Sequence, residues 1–198
     1  MNRIKLLAQS KLPTEFGLFE MCIFKDKKNS QEPIALIMGK LNIKKPILVR
    51  VHSACMTSET FHSLKCDCHD QLALSMNKIG KEGRGILIYL RQEGRGIGLV
   101  NKIKAYHLED LGYDTVDANL ELGLPADNRK YHLAVQILKY FKVKNIKLMT
   151  NNPAKISALE KAGIKVKERL VLEVKPSLLN RDYLKTKKNR MGHWLKNV

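Results

Sequence analysis

The amino-acid sequence predicts an α/β fold of the α+β type, in which a mixed β-sheet with antiparallel N-terminal strands is flanked by helices. Short runs of β-forming residues separated by polar turns fill the first fifty residues, whereas later segments alternate apolar runs with apolar residues at helical spacing. The 198 residues are 44% hydrophobic, which is enough to bury one well-packed core. We therefore expect one domain over residues 1–198, with a basic helix or tail from about residue 180.

The first half of the chain is predicted to supply most of the sheet. Strands are expected at residues 16–24, 33–41 and 46–51, and we expect them to be antiparallel. A helix over residues 71–81 follows, because its apolar residues recur at helical spacing until a glycine-containing turn ends it. The continuous apolar run at 85–90 then predicts a fully buried strand.

The second half of the chain is predicted to alternate helices and strands. After a glycine-rich turn, an amphipathic helix carries Leu99, Ile103, Tyr106 and Leu111 near one face. The remaining predicted elements are a helix through residues 133–141 with a core-facing stripe, a strand at 144–150, a helix that starts at Asn152 and Pro153 and stops at Gly163, and a strand at 165–174.

Three of the four cysteines lie within fourteen residues, and this cluster is the strongest indication of chemistry in the chain. Thiolates are soft ligands that suit zinc, and the Cys66-x-Cys68 pair can place both sulfurs on one ion while Cys55 arrives from the preceding loop. Three ligands leave the fourth corner of a tetrahedral site open for water, as in a catalytic zinc site.

Other interpretations of the cysteine cluster stay open at this point. Any of His52, His62 and His69 is near enough in sequence to supply a fourth ligand, which would make the site structural. Three unrelated thiols packed in the core are the simpler alternative. A disulfide between Cys66 and Cys68 is disfavoured, because its small ring would be strained and nothing else indicates an oxidising compartment.

Two segments have the pattern of anion-binding sites. Residues 91–98, RQEGRGIG, connect a predicted strand to a predicted helix, so backbone N–H groups and arginine side chains can approach a phosphate. Thr150, Asn151, Asn152 and Lys155 crowd the start of a second helix. The glycine pattern matches neither the dinucleotide fingerprint nor the P-loop, so a flexible turn with solvated arginines is an equal alternative.

The formal net charge of +17 is the strongest feature of the composition. It favours a polyanionic partner or an anionic substrate. The lysines are spread along the chain without a DNA-reading motif or interleaved aromatic residues, so nucleic-acid binding is an alternative and not the preferred function. The apolar runs are too short to span a bilayer and the clustered thiols agree with a reducing compartment, so we expect a cytoplasmic protein.

Seven collinear motifs resemble those of the GTP cyclohydrolase II family, and together they cover nearly the whole chain. They are RVHS at 50–53, the cysteine set at 55–68, RQEGRGIGL at 91–99, GYDT at 112–115, ADxR at 126–129, TNNP at 150–153 and KxxMGH at 188–193. One such motif would be weak evidence, but seven in the family's order are specific.

The resemblance implies a zinc hydrolase that converts GTP to formate, diphosphate and 2,5-diamino-6-ribosylamino-4(3H)-pyrimidinone 5′-phosphate, the first step of riboflavin biosynthesis. It also implies a homodimer, and magnesium on the triphosphate. Carried over by motif, Cys55, Cys66 and Cys68 would hold one zinc ion per subunit, which activates water for attack on C8 of guanine. Tyr106 matches the family's tyrosine beside that water, where a phenol can pass a proton.

The resemblance also implies which residues bind the nucleotide and release diphosphate. The positions that match nucleotide-binding residues are Arg50, Val51, His52, Ser53, Ala54, Gln71, Glu93, Gly94, Arg95, Thr115, Thr150 and Lys155. Glu93 would accept from the N–H edge of guanine. Asp127 and Arg129 match the family's base and nucleophile for diphosphate release. Because a guanidinium stays protonated at ordinary pH, the residue types themselves favour Arg129 stabilising phosphate charge and Asp127 orienting it.

Three departures from the family pattern fall within or next to residues 55–68, the cysteine loop. Ala54 stands where the family has a glutamate, and Ser58 and His69 stand where it has glycines. The first change removes an acceptor from the nucleotide site, and the other two would strain the backbone if those positions required a positive φ. A divergent homologue that acts on another nucleotide is therefore the alternative function.

Overall fold

A computed structural model describes residues 4–28 and 31–198. The strands within these residues are β1 Ile4–Thr14, β2 Gly17–Asp26, β3 Ile34–Met38, β4 Ile47–Ser53, β5 Gly85–Leu90, β6 Asn145–Met149 and β7 Lys165–Leu170. The helices are α1 Met56–Glu59, α2 Cys68–Glu82, α3 Leu99–Asp110, α4 Thr115–Glu121, α5 His132–Tyr140, α6 Pro153–Lys161 and α7 Arg181–Asn189, with a 3₁₀ turn at Glu93–Gly96. Every helix in the described part of the chain is too short or too polar to cross a bilayer.

The strands form one mixed sheet in the order β1-β2-β3-β5-β4-β6-β7. β1, β2, β3 and β5 pair in antiparallel fashion one after another, whereas β4, β6 and β7 pair in parallel. The predicted mixed sheet with antiparallel N-terminal strands is therefore confirmed. For β4, the expected antiparallel pairing is wrong at its β6 edge, because Ile47 is aligned in parallel with Ile146.

The centre of the sheet is buried on both faces, as the continuous apolar run of β5 predicts. Ile86 and Ile88 belong to the core cluster that includes Ile137 of α5. Leu87, between them, belongs to the opposite cluster with Ile79 of α2. Alternate side chains of a strand point to opposite faces, so both clusters are needed to cover it. Each fully buried Ile or Leu contributes about 1.5–3 kcal/mol relative to exposure.

Two predictions about local structure were incomplete. β1 was not predicted as a strand, since most of its side chains are polar or exposed and lack a regular apolar alternation. In α3, Leu99 and Ile103 of the apolar face are exposed, whereas Lys102 is buried. The terminal basic helix is confirmed as α7, and the chain beyond it forms no regular element.

The chain divides into two compact units. The first comprises the described part of residues 1–52 together with 72–91 and 131–172, and it contains the sheet core with α5 and α6. The second comprises residues 53–71, 92–130 and 173–198, and it contains α1, the 3₁₀ turn, α3, α4 and α7. All three clustered cysteines belong to the second unit. The expected single catalytic domain stays a prediction.

Candidate active site

The three clustered cysteines bring their sulfurs together. Cys55 immediately precedes α1, Cys66 lies two residues before α2, and Cys68 is the first residue of α2. The sulfurs of Cys55 and Cys66 are 3.6 Å apart, and all three sulfurs lie within 4.8 Å of one another. Ligands at about 2.3 Å from a tetrahedral ion are roughly 3.8 Å apart, so this spacing fits one metal ion. All three cysteines are free thiols, so the disfavoured Cys66–Cys68 disulfide is not formed.

The histidines near the cluster make other contacts. His62 and His69 pack edge to face with their ring centroids 4.9 Å apart. In the sheet unit, the ring of His52 stacks on Tyr89 at 5.7 Å. Within residues 4–28 and 31–198, no histidine or carboxylate joins the three sulfurs as a fourth ligand. The described residues thus offer a three-sulfur set.

Lys102 links the cysteine loop to the glycine-rich turn. Its Nζ lies 3.1 Å from Cys55 Sγ, 2.8 Å from Thr57 Oγ1 and 2.7 Å from Glu93 Oε1. Hydrogen bonds from Cys66 and Cys68, reinforced by the charge of Lys102, outweigh burial and lower the pKa of the Cys55 thiol. The hydrogen bonds with Cys55 and burial have the opposite effect on its partners and raise the pKa of the Cys66 and Cys68 thiols. A lowered thiol pKa favours the thiolate, which is the form that binds a metal.

A cavity that is open to solvent adjoins the sulfurs. The predicted site residues that line it are Ser53, Ala54, Cys55, Cys66, Cys68, Glu93, Gly94, Arg95, Tyr106, Thr115 and Arg129. The lining residues that sequence reasoning missed are Ile97, Lys102, Ala105, Glu109, Asn119 and Tyr183. All of them belong to the second unit.

Two charged side chains that line the cavity have buried atoms without a partner. Nη1 and Nη2 of Arg95, and Oε1 of Glu109, are buried and make no hydrogen bond to the described residues. The guanidinium of Arg95 lies over the ring of Tyr183, 5.4 Å from its centroid. Buried polar atoms without a hydrogen bond are costly, so this arrangement is suited to a polar ligand that completes the hydrogen bonds.

The glycine-rich turn adopts a conformation that few residues tolerate. Gly94 and Arg95 both have φ of 58°, and Gly96 has φ of 88°. A Cβ on Gly96 would lie 2.9 Å from the carbonyl oxygen of Asn128, whose N–H donates to the carbonyl oxygen of Arg95 at 2.9 Å. The turn therefore packs against the loop that carries Asp127 and Arg129. A non-glycine residue with positive φ is typical of functional sites.

Asp127 and Arg129 form a forked ion pair. Nε of Arg129 lies 2.9 Å from Oδ1 of Asp127, and Nη2 lies 2.5 Å from Oδ2. Burial opposes ionisation of Asp127, but the hydrogen bonds and charge of Arg129 prevail and lower the pKa of this carboxyl group. The geometry therefore holds both groups in their charged forms.

Six predicted nucleotide-binding residues do not line this cavity, and five of them belong to the first unit. Arg50, Val51, His52, Thr150 and Lys155 belong to the sheet unit, at or just beyond the carboxyl ends of β4 and β6. There, Nη1 of Arg50 donates to the Met149 carbonyl at 3.1 Å, and Nζ of Lys155 donates to the Val51 carbonyl at 2.7 Å.

Gln71 belongs to the second unit, and its side-chain amide donates to the Asp67 carboxylate at 2.6 Å. Nucleotide binding by Gln71 and by the five sheet-unit residues stays a prediction.

The predicted helix start at Asn152 is capped. The Asn152 side chain accepts from the N–H of Ala154 at 2.9 Å, at the start of α6.

The departures at Ser58 and His69 do not strain the backbone. Both residues lie in helices, and neither has a positive φ. Ser58 is buried, and its hydroxyl oxygen accepts from the backbone N–H of His69 at 3.1 Å. The two substituted positions are thus joined by a hydrogen bond. Ala54 lines the cavity without contributing a polar side-chain group.

Together the fold and the site define an α/β protein with a cysteine cluster able to hold a metal ion beside a cavity lined in part by charged side chains. The family model described as GTP cyclohydrolase II matches residues 5–171, and the chain belongs to that family. It is 49% identical over 195 residues to the GTP cyclohydrolase-2 of Histophilus somni (strain 2336), covering 98% of this chain and 90% of that protein.

A second relative agrees with this assignment, and one solved structure has a similar fold. The GTP cyclohydrolase-2 of Neisseria meningitidis serogroup C is 51% identical over 187 residues, covering 94% of each chain. The crystal structure of RibBX, a two domain 3,4-dihydroxy-2-butanone 4-phosphate synthase from A. baumannii, is similar with a TM-score of 0.52. The two chains are 18% identical, and the match covers 88% of this chain and 41% of that one, so the likeness concerns the fold alone.

Proposed function

We propose that this protein is a zinc-dependent GTP cyclohydrolase II, which hydrolyses GTP to formate, diphosphate and 2,5-diamino-6-ribosylamino-4(3H)-pyrimidinone 5′-phosphate at the start of riboflavin biosynthesis. The observation that carries the proposal is the convergence of three cysteine sulfurs, within 4.8 Å of one another, beside a cavity lined by charged side chains that have buried atoms without a hydrogen bond to the described residues. Membership of the GTP cyclohydrolase II family supports GTP as the substrate.

Cys55, Cys66 and Cys68 would hold the zinc ion, because three soft sulfur ligands suit zinc and leave one coordination position for solvent. When bound, zinc supplies a Lewis acid that activates water for hydrolysis. Tyr106 lines the same cavity, and burial raises the pKa of its phenol. The phenol therefore stays protonated at neutral pH and can donate a proton during ring opening.

The phosphate groups of the substrate would bind the arginine side chains of the second unit. Arg95 presents two buried, unpaired guanidinium nitrogens, and a guanidinium can donate to phosphate oxygens in a forked arrangement. Arg129 stabilises phosphate charge during diphosphate release, and Asp127 holds its guanidinium in place through the forked pair. Magnesium would accompany the triphosphate.

Recognition of guanine requires a hydrogen-bond acceptor for its N–H edge. Glu93 was the acceptor expected from the sequence, but its carboxylate already accepts from Lys102 and from the N–H of Met56 at 2.7 and 2.6 Å. Glu109 has one buried oxygen without a partner among the described residues and lines the cavity. Glu109 is thus a second candidate for this role, while Glu93 organises the site.

The test is to incubate the zinc-loaded protein with GTP and magnesium and to measure formate and diphosphate separately. Both products are expected, and removal of zinc with a chelator should stop formate release. Absence of both products from fully loaded protein would refute the proposal. Parallel assays with ATP and other nucleoside triphosphates test the divergent alternative, since preferred turnover of another nucleotide would favour it. A sedimentation measurement tests the expected homodimer.

A further inference from the structure

A buried ion pair connects the terminal helix to the cysteine loop. Asp67 lies between two of the clustered cysteines and is 4% exposed, while Lys187 of α7 is 8% exposed. Their charged groups are 2.7 Å apart. Residues 5–171 match the family model, so α7 lies beyond the matched part of the chain. The structure thus places a lysine from the end of the chain next to the metal-binding sequence Cys66-Asp67-Cys68.

Both oxygens of the Asp67 carboxylate are held. Oδ1 accepts from Nζ of Lys187, and Oδ2 accepts from the side-chain amide of Gln71 at 2.6 Å. The ammonium of Lys187 also lies over the ring of Tyr183, 4.3 Å from its centroid. Because Tyr183 lines the cavity, α7 contacts both the cysteine loop and the cavity wall. These contacts leave the Asp67 side chain little freedom.

The two charged groups of this pair compensate each other in a buried position, 2.7 Å apart. A buried ion pair adds little net stability compared with apolar side chains of similar volume, because desolvation offsets its attraction. The main consequence of the Asp67–Lys187 pair is therefore that it fixes the position of Asp67. The pair also places a positive charge near the sulfurs.

We propose that Lys187 is a positioning residue for the metal site, which acts through Asp67 to fix the backbone between Cys66 and Cys68 so that both sulfurs face one ion. Its ammonium also offsets part of the negative charge that accumulates when three thiolates and a carboxylate are close together. Groups that orient metal ligands typically change metal affinity by about 10–100-fold when they are removed. The inference rests on the proposed function, since it requires that the site bind a metal.

The experiment compares zinc affinity, measured by competition with a chromogenic chelator, in wild-type protein and three single variants. Lys187→Met is expected to weaken zinc binding about 10–100-fold. Lys187→Arg keeps the positive charge and should recover most of the affinity. Lys185→Met is the matched control, because Lys185 lies on the same helix in an exposed pair with Asp182. It should bind zinc as wild type does.

Three further measurements separate positioning from loss of structure. Cobalt(II) is used in place of zinc, and the intensity of its visible bands should fall in Lys187→Met because the tetrahedral ligand geometry is disturbed. The single variant Asp67→Asn is measured as well, and the double variant Asp67→Asn/Lys187→Met should lose no more zinc affinity than either single variant, because both changes break one interaction. Far-UV circular dichroism of each metal-free variant checks that it is folded.

Three outcomes would overturn the inference: zinc binding by Lys187→Met that equals wild type, losses that add in the double variant, or zinc loss that occurs only together with unfolding. Failure of the proposed function gives a different result. In that case the wild-type protein itself would bind no zinc or release no formate, whatever residue occupies position 187.

Discussion

Lys102 and Glu93 form an ion pair 2.7 Å long, with side chains that are only 10% and 16% exposed. The same ammonium lies 3.1 Å from Cys55 Sγ, and the same carboxylate accepts from the N–H of Met56 at 2.6 Å. The pair therefore joins α3, the glycine-rich turn and the cysteine loop. Since both charges are largely withdrawn from water, each depends on the other for compensation.

Replacing Lys102 by methionine should destabilise the metal-free protein by about 3 kcal/mol, because it leaves the Glu93 carboxylate buried without its cation. Urea unfolding of the metal-free protein measures this loss. The control is Lys147→Met, which breaks an exposed pair with Glu168 and should cost less than about 1 kcal/mol. Equal losses of unfolding free energy in the two variants would show that the buried Lys102–Glu93 pair contributes no more to stability than an exposed pair.

Replacing Gly96 by alanine should displace the loop that carries Asp127 and Arg129, since the new Cβ would lie 2.9 Å from the Asn128 carbonyl oxygen. Gly98→Ala is a matched control: its φ of 87° is nearly the same, but no atom lies within 4 Å of the new Cβ. The unfavourable backbone conformation alone should cost each variant about 1–3 kcal/mol. Gly96→Ala should lose more stability and also raise the KM for GTP. Indistinguishable variants would argue against the close packing.

Replacing Cys66 by serine should abolish formate release, because a hydroxyl is a poor zinc ligand compared with a thiolate. Diphosphate release should continue, since the forked pair of Asp127 and Arg129 does not include the sulfurs. Separate assays of formate and diphosphate, with zinc content measured on the same sample, test this separation. Unchanged formate release from zinc-free Cys66→Ser would show that the cysteine site takes no part in formate release.

Replacing Glu109 by glutamine should change how stability depends on pH. Burial raises the pKa of the Glu109 carboxyl above its ordinary value of 4.5. The folded state therefore binds this proton more tightly than the unfolded state, and stability is lost as pH rises from about 4.5 through the raised value. Glutamine has no such loss, so the variant should exceed wild type in free energy of unfolding at pH 8.

The difference between Glu109→Gln and wild type should shrink as pH falls toward 4, where both side chains are neutral. Urea unfolding at several pH values, without nucleotide, measures it. Glu121 is exposed on α4, so Glu121→Gln serves as the control and should change stability little at any pH. A constant difference across pH for Glu109→Gln would contradict the assigned effect of burial.

Local patterns were sufficient to predict the type of most elements and the centre of the candidate site. The strand β5, the core-facing stripe of α5 and the cap at Asn152 follow from residues that are neighbours in the chain. The cysteine triad was visible for the same reason, since its members lie within fourteen residues. Patterns over such short distances report local structure directly.

Several site residues could not be identified in this way. Lys102 and Lys187 lie in polar helices and resemble solvated surface lysines in the sequence, but both are buried. Glu109 and Tyr183 carry no motif that distinguishes them from ordinary helix residues. A buried charge is recognised only from its partner, and the partner of Lys187 is 120 residues away.

The sequence by itself determined the family, the cluster of three cysteines and the alternation of strands and helices, because these depend on residue types at short, regular spacing. The tertiary structure alone decided that β4 pairs in parallel with β6, and that Asp67 receives its cation from α7. Strand pairing and buried ion pairs depend on contacts between distant segments, and their free energies depend on burial that only the folded chain provides.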